Sequence, residues 1–156
     1  MQLIPLRLKA LKPKDTDFEP RSLGQHVRKR RLGLKLTQKN LAKQLGVSPW
    51  TVRNWEKGHT EPPIASMPAL LRFLGYDPSP EPRTLSERLL AKRRTMGWSI
   101  REAARKLGVD PGTWSDWEQG TVIVYRTYRV LVARLLGLAE GEVDQDMGAS
   151  WIRSHQ

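Results

Sequence analysis

The stretch Pro49-Trp50-Thr51-Val52-Arg53-Asn54 brings an indole, a hydroxyl, a guanidinium and a carboxamide into six residues. Set on the outward side of a helix, such groups suit contact with base edges. Asn54 can bond adenine bidentately, Thr51 and Trp50 can meet a thymine methyl, and Arg53 reaches a base edge or a phosphate. Trp50 also suits packing against a partner or another part of the chain. Bond-breaking chemistry is hard to find. His26, His59 and His155 are scattered, and neither an HExxH pattern nor a phosphate-binding glycine loop occurs. The chain is therefore read as non-enzymatic, with no cofactor and no metal. The absence of cysteine excludes disulfides, thiolate metal sites and a cysteine nucleophile, and fits a reducing cytosol.

These residues sit in a pattern that occurs twice. Arg31, Ala42, Leu45-Gly46-Val47, Pro49, Thr51, Trp55-Glu56 and Gly58 return sixty-two residues later as Arg93, Ala104, Leu107-Gly108-Val109, Pro111, Thr113, Trp117-Glu118 and Gly120. Helix, sharp turn and second helix are implied each time, a device for laying one helix into a DNA groove. The 156 residues then divide into two units, each so small that its core is only marginally sufficient.

A formal charge of +11 and a pI near 10.4 point to a polyanionic partner, nucleic acid before an acidic protein or a membrane surface. Residues 21–76 carry eleven Lys/Arg against Glu56 and Glu61, and residues 84–137 carry ten against five acids. Residues 1–20 form a basic arm containing Arg7, Lys9, Lys12 and Lys14, read first as disordered and second as a strand pairing with another subunit; entry into a minor groove is a further reading. Residues 77–83, rich in alternating proline, read as a semi-rigid spacer of about 25 Å. Residues 138–156 read as an acidic, flexible tail, in which Trp151 could mark a partner-binding peptide. No apolar run is long enough to span a bilayer, and the amino terminus lacks a signal-type core.

Apolar period and punctuation place the helices. Leu23, Val27, Arg31 and Leu34 predict a first helix over about 22–34. Thr37 caps a short second helix ended by Gly46, and Ser48 caps a third that begins at Pro49. Residues 64–74 form a fourth. The second repeat follows the same course, with a capping box at Ser99 and Glu102, Asp110 before Pro111, and a last helix over about 125–136. No strand pattern appears in either repeat.

The segment Leu36-Thr37-Gln38-Lys39-Asn40-Leu41-Ala42-Lys43-Gln44-Leu45-Gly46-Val47-Ser48, continuing to Trp55-Glu56-Lys57-Gly58, resembles the helix-turn-helix domain of the phage repressor/Cro (XRE-type) family of transcriptional regulators. The resemblance covers residues 21–76 and 84–137. It implies an all-α chain of two tandem repressor-like domains, each of four to five helices, joined by the short Pro-rich linker. It pairs Arg31 with Glu56 and Arg93 with Glu118 as structural ion pairs. It makes Gln38 a phosphate contact that braces the reading helix, with Thr37, Lys39, Lys57 and His59 as further phosphate contacts. Base contacts fall to Pro49, Trp50, Thr51, Arg53 and Asn54.

In the second repeat the matching base contacts are Thr113 and Asp116, and the phosphate contacts are Ser99, Arg101 and Arg105. There Gly112, Ser115 and Ile100 stand where the first repeat has Trp50, Arg53 and Gln38. The expected partner is double-stranded DNA, in the cytoplasm of a prokaryote, with a homodimer left open. The rival reading is an antitoxin-like or recombination accessory module whose second repeat, or tail, binds a protein.

Overall fold

A computed structural model of the chain describes residues 17–139 and 141–143. The readings of the arm at Arg7, Lys9, Lys12 and Lys14, and of the tail at Trp151, lie outside the described residues. The described part is helical, without strands, and divides into two compact units between Glu61 and Pro62.

Unit one contains α1 (Leu23–Gly33), α2 (Gln38–Leu45) and α3 (Pro49–Lys57). Each begins at a hydroxyl cap. Ser22, Thr37 and Ser48 accept from the backbone N–H three residues on, at 3.3, 3.1 and 3.0 Å. Gly46 (φ 68°) and Gly58 (φ 71°) end α2 and α3 in the left-handed region, where glycine avoids the Cβ clash. Lys35 is also left-handed, at φ 55°, a conformation that costs a residue with a Cβ about 1–2 kcal/mol. Val27, Leu41, Ala42, Val52 and Trp55 are buried. At Gly24, α1 comes so close to α3 that an added Cβ would lie 1.8 Å from the Trp55 carbonyl oxygen. The segment just before α1 is tied to it by the Arg28 guanidinium 5.5 Å from the Phe18 ring centre and by a Lys29–Glu19 pair at 3.6 Å.

Unit two opens with a 3-10 turn over Ile64–Ser66 and α4 (Met67–Leu74), followed by α5 (Leu85–Met96), α6 (Ile100–Leu107), α7 (Pro111–Gln119) and α8 (Arg126–Leu136). The division therefore falls before α4, whereas the sequence reading sets the boundary in residues 77–83. α4 packs on α5: Pro68 sits where a Cβ on Gly97 would come within 2.8 Å of its Cγ. The Pro-rich run belongs to this unit, held by the Arg94 guanidinium donating to the Ser79 hydroxyl at 2.6 Å. The core joins Leu85, Leu89, Ala103, Ala104, Leu107, Trp114, Trp117, Val124, Val132 and Ala133. It also takes in Val143, completely buried, with Leu138 packed against it. Leu138 and Val143, which fall in the stretch read from the sequence as a tail, thus carry apolar side chains that join this core.

Candidate nucleic-acid interface

The turn between α2 and α3 is Gly46-Val47-Ser48. The Val47 N–H donates back to the Ala42 carbonyl at 3.0 Å, and Pro49 fills the first helical position, where a missing N–H costs nothing. Val52, Trp55 and Glu56 turn inward, leaving Pro49, Trp50, Arg53 and Lys57 exposed. Trp50 retains 69% of its surface. Lys39 on α2 and His59 in the loop after α3 are exposed as well.

Three first-repeat residues are placed otherwise than an outward reading face requires. Asn54 is only 7% exposed; it lies on the flank of α3, where coverage depends on what packs alongside and not on the helix's own period. Thr51 is half-buried, and its hydroxyl lies 2.8 Å from that of Ser48. The Gln38 amide donates to Glu56 Oε2 at 2.9 Å, which draws the side chain inward. The exposed face of α3 is thus Pro49, Trp50, Arg53 and Lys57.

Beneath that face lies a buried charge network. Arg31 meets Glu56 bidentately, Nε to Oε1 at 2.6 Å and Nη2 to Oε2 at 2.9 Å, and its Nη1 donates to the Leu36 carbonyl at 2.8 Å. Two parallel bonds from a planar guanidinium fix orientation as well as distance. The pair locks the C-terminal end of α3 to α1, and Gln38 extends it to α2.

Unit two repeats the lock with one member exchanged. Arg93 Nε and Nη2 meet Glu118 at 2.5 and 2.9 Å, and Nη1 donates to the Trp98 carbonyl at 3.2 Å. Ile100 cannot supply the amide that Gln38 gives. The Trp114 indole N–H donates instead to Glu118 Oε1 at 2.6 Å. The sequence shows a tryptophan replacing Val52, which reads as packing; the donor it brings to the shared carboxylate is visible only in three dimensions.

The outer faces diverge further. In unit two Arg101 and Arg105 are exposed on α6, but α7 presents Pro111, Gly112 and Asp116 without a cation. Lys106 lies over the Trp98 ring at 5.4 Å. The Ser99 hydroxyl donates to Glu102 at 2.8 Å, and the Glu102 carboxylate accepts from the Ser99 N–H at 2.8 Å. A carboxylate thereby occupies the end of α6 where a phosphate would seek backbone N–H groups. The first turn of α2 carries no acid. The Thr113 hydroxyl is likewise committed, donating to the Asp110 carboxylate that caps α7 through the N–H groups of Gly112 and Thr113 at 2.8 and 3.1 Å.

Three exposed capping carboxylates in unit two are held below the usual range. The Arg83 N–H and then the Thr84 N–H lower Glu87. The Ser99 N–H and then its hydroxyl lower Glu102. The Thr113 hydroxyl and then its N–H lower Asp110. A depressed folded value means that the stability each contributes is complete above its unfolded value and fades as pH falls through the folded one. Solvent keeps each contribution small. Unit one caps its helices with hydroxyls, which do not titrate here. Melts between neutral pH and about pH 3 should therefore show the acid loss of stability flattened by the combined substitutions Glu87→Gln, Glu102→Gln and Asp110→Asn. An unchanged pH dependence would refute the assignment.

Among the described residues no group of His, Cys, Asp and Glu could hold a metal ion, and no helix is long and apolar enough to cross a membrane.

Comparison with known proteins agrees with this geometry. Residues 27–80 match the family described as Helix-turn-helix, and residues 84–145 match a second described as Helix-turn-helix domain. Over 58 residues the chain is 40% identical to the HTH-type transcriptional regulator DicA of Escherichia coli (strain K12), covering 37% of this chain and 43% of that protein. The chain thus spans less than half the length of that relative. No solved structure matches it significantly. Two family matches in series, each laid over one repeat with its Arg–Glu lock, make this a tandem helix-turn-helix protein, similar to regulators of the repressor/Cro, XRE type.

Proposed function

We propose that the protein is a sequence-specific double-stranded DNA-binding transcriptional regulator, a repressor, acting in a prokaryotic cytoplasm without catalysis, cofactor or metal. α3 enters the major groove and reads bases through Trp50 and Arg53, with Pro49 and Thr51 at its leading end. Lys39, Lys57, His59 and the N–H groups of α2 beside Thr37 hold phosphates. The carrying observation is that one exposed helix face combines an indole and two cations beside a helix N-terminus free of acid. Phosphate contacts position such a helix, and base contacts specify the site. Asn54 and Gln38 support α3 from within.

Unit two makes a second and weaker contact in cis through Arg101 and Arg105, with Ser99, Thr113 and Asp116 contributing little. The rival, a protein-binding second unit, draws on Glu102 and Asp116 and on the exposed apolar Ile123, Tyr125, Val130 and Leu131. The two readings separate by equilibrium binding and footprinting. Arg53→Ala should reduce discrimination between cognate and unrelated duplex by about 10–100-fold, with the melting temperature unchanged. The double variant Arg101→Ala, Arg105→Ala should shorten the protected stretch at one end. A full-length footprint from the double variant would favour the rival, and full discrimination by Arg53→Ala would overturn the assignment of the reading face.

A further inference from the structure

α4 and α8 are the same helix of the two repeats, sixty-two residues apart. Leu70 and Val132 are each fully buried, and Gly75 and Gly137 end the two helices with positive φ. Their outer faces meet different surroundings. In α4 that face bears Pro68, half-buried against Gly97 of the following helix, α5. In α8 the equivalent residue is Val130, 42% exposed, and Leu131 beside it is 39% exposed. Ile123 and Tyr125, just before α8, are exposed as well. Scattered apolar residues are ordinary at a surface, whereas a cluster marks a place of contact.

Charge narrows what could cover this face. α8 carries Arg126, Arg129 and Arg134 and no acid, so a second copy of α8 would bring like charges together. An acidic and apolar segment matches both features. The end of α1 from another copy is also unsuited to the role that α5 plays on α4. A Cβ on Gly97 would come 2.8 Å from Pro68 Cγ, and Lys35, which stands in the matching place on α1, has that Cβ. A fitting segment follows in the chain itself. Val143 is completely buried in the same cluster as Val132 and Ala133. Residues 144–156 then begin with Asp144 and Asp146 and continue to Met147, Trp151 and Ile152, with Arg153 after them. In the first repeat the chain that follows α4 turns back onto it, and in the second repeat this segment holds that place in the order. An extended chain advances about 3.3 Å per residue, so the run from Val143 to Trp151 can reach about 26 Å. The helix to be covered is about 16 Å long.

We propose that residues 144–152 dock in cis on the outer face of α8, Trp151 and Ile152 covering Val130 and Leu131, with Asp144 and Asp146 set against Arg126 and Arg134. The inference does not depend on whether unit two touches DNA. The docked segment occupies the apolar surface on which the protein-binding rival draws, so the two compete for one face.

The chain has no cysteine, so introduced thiol pairs report proximity in the full-length protein. Thr127→Cys with Ser150→Cys sets one thiol on the exposed face of α8 and the other beside Trp151. Arg105→Cys with Ser150→Cys, its first thiol exposed on α6, is the control. Circular dichroism checks that each variant keeps its helicity. With oxidised glutathione the α8 pair should close into an intramolecular disulfide about tenfold faster than the control, because docking raises the effective concentration of the two thiols. Adding Trp151→Ala to the α8 pair should bring its rate down to that of the control. A rate no faster than the control, or one that Trp151→Ala leaves unchanged, would overturn the proposal. So would disulfide-linked dimers as the main product at low protein concentration, which would put a second copy on this face.

Discussion

Glu56→Ala should unfold unit one at ordinary temperature. The substitution leaves the Arg31 guanidinium, 7% exposed, with only the Leu36 carbonyl as partner, and strips the Gln38 amide of its acceptor. Breaking one side of a buried ion pair costs about 3–5 kcal/mol, because the remaining charge stays desolvated. A core of this size supplies about 3–5 kcal/mol in all, so the loss is comparable with the whole. Circular dichroism should show reduced helicity, and DNA binding should vanish with it. The loss of binding is therefore no sign that Glu56 touches DNA; Arg53→Ala, which keeps its helicity, makes that distinction. Replacing the pair together, Arg31→Met with Glu56→Leu, should restore much of the helicity, since no unpaired charge remains. If Glu56→Ala melts within a degree or two of wild type, the lock does not hold unit one together.

Gly24→Ala should be almost as damaging, though it adds one methyl group. Its Cβ would fall 1.8 Å from the Trp55 carbonyl oxygen and 2.6 Å from the carbonyl carbon. Both obstacles are backbone, so no rotamer change relieves them, and α1 must move off the end of α3. Overpacking of this kind costs about 1–3 kcal/mol and sometimes more; backbone on both sides sets this case at the upper end. The displacement also pulls Arg31 away from Glu56, so the two losses compound. The equivalent residue of the second repeat, Ser86, already carries a Cβ, and Ser86→Ala should leave the melting temperature nearly unchanged. A tolerated Gly24→Ala would mean that α1 and α3 lie farther apart than the structure places them.

These two positions differ in how far the amino-acid sequence reveals them. The Arg31 and Glu56 pairing is legible through the resemblance to repressor/Cro domains, with Arg93 and Glu118 at the same spacing, and the helix starts because Thr37, Ser48 and Asp110 stand where caps are needed. Gly24 carries no such signal. A lone glycine in an amphipathic stretch says nothing about how near another backbone passes. Asn54 escapes a sequence reading for a related reason. Helical period separates Val52 and Trp55 from Arg53, but a flank residue is covered or bare according to its neighbours, and its counterpart Asp116 is exposed. Gln38 and Trp114 are legible as residues and not as alternatives, since only a shared carboxylate position reveals that the indole takes over from the amide. Val143 is hidden in an acidic composition that suggests a tail.

Functionally, the two repeats are an unequal pair built on one plan. The first repeat spends its surface on cations and an indole, the second on capping acids and a bare α7. Each keeps the internal Arg–Glu lock, which ties α3 to α1 and α7 to α5, so the difference lies in what α3 and α7 show to solvent.

Selection of bound fragments from a pool of random duplex DNA, run in parallel with wild-type protein and Arg53→Ala, tests this division of labour most directly. Wild-type protein should enrich a defined motif, and Arg53→Ala should lose the preference at one or two positions of it while still binding duplex. No enriched motif with the wild-type chain, or the same motif at full strength with Arg53→Ala, would contradict the assignment of the first repeat's α3 as the reader.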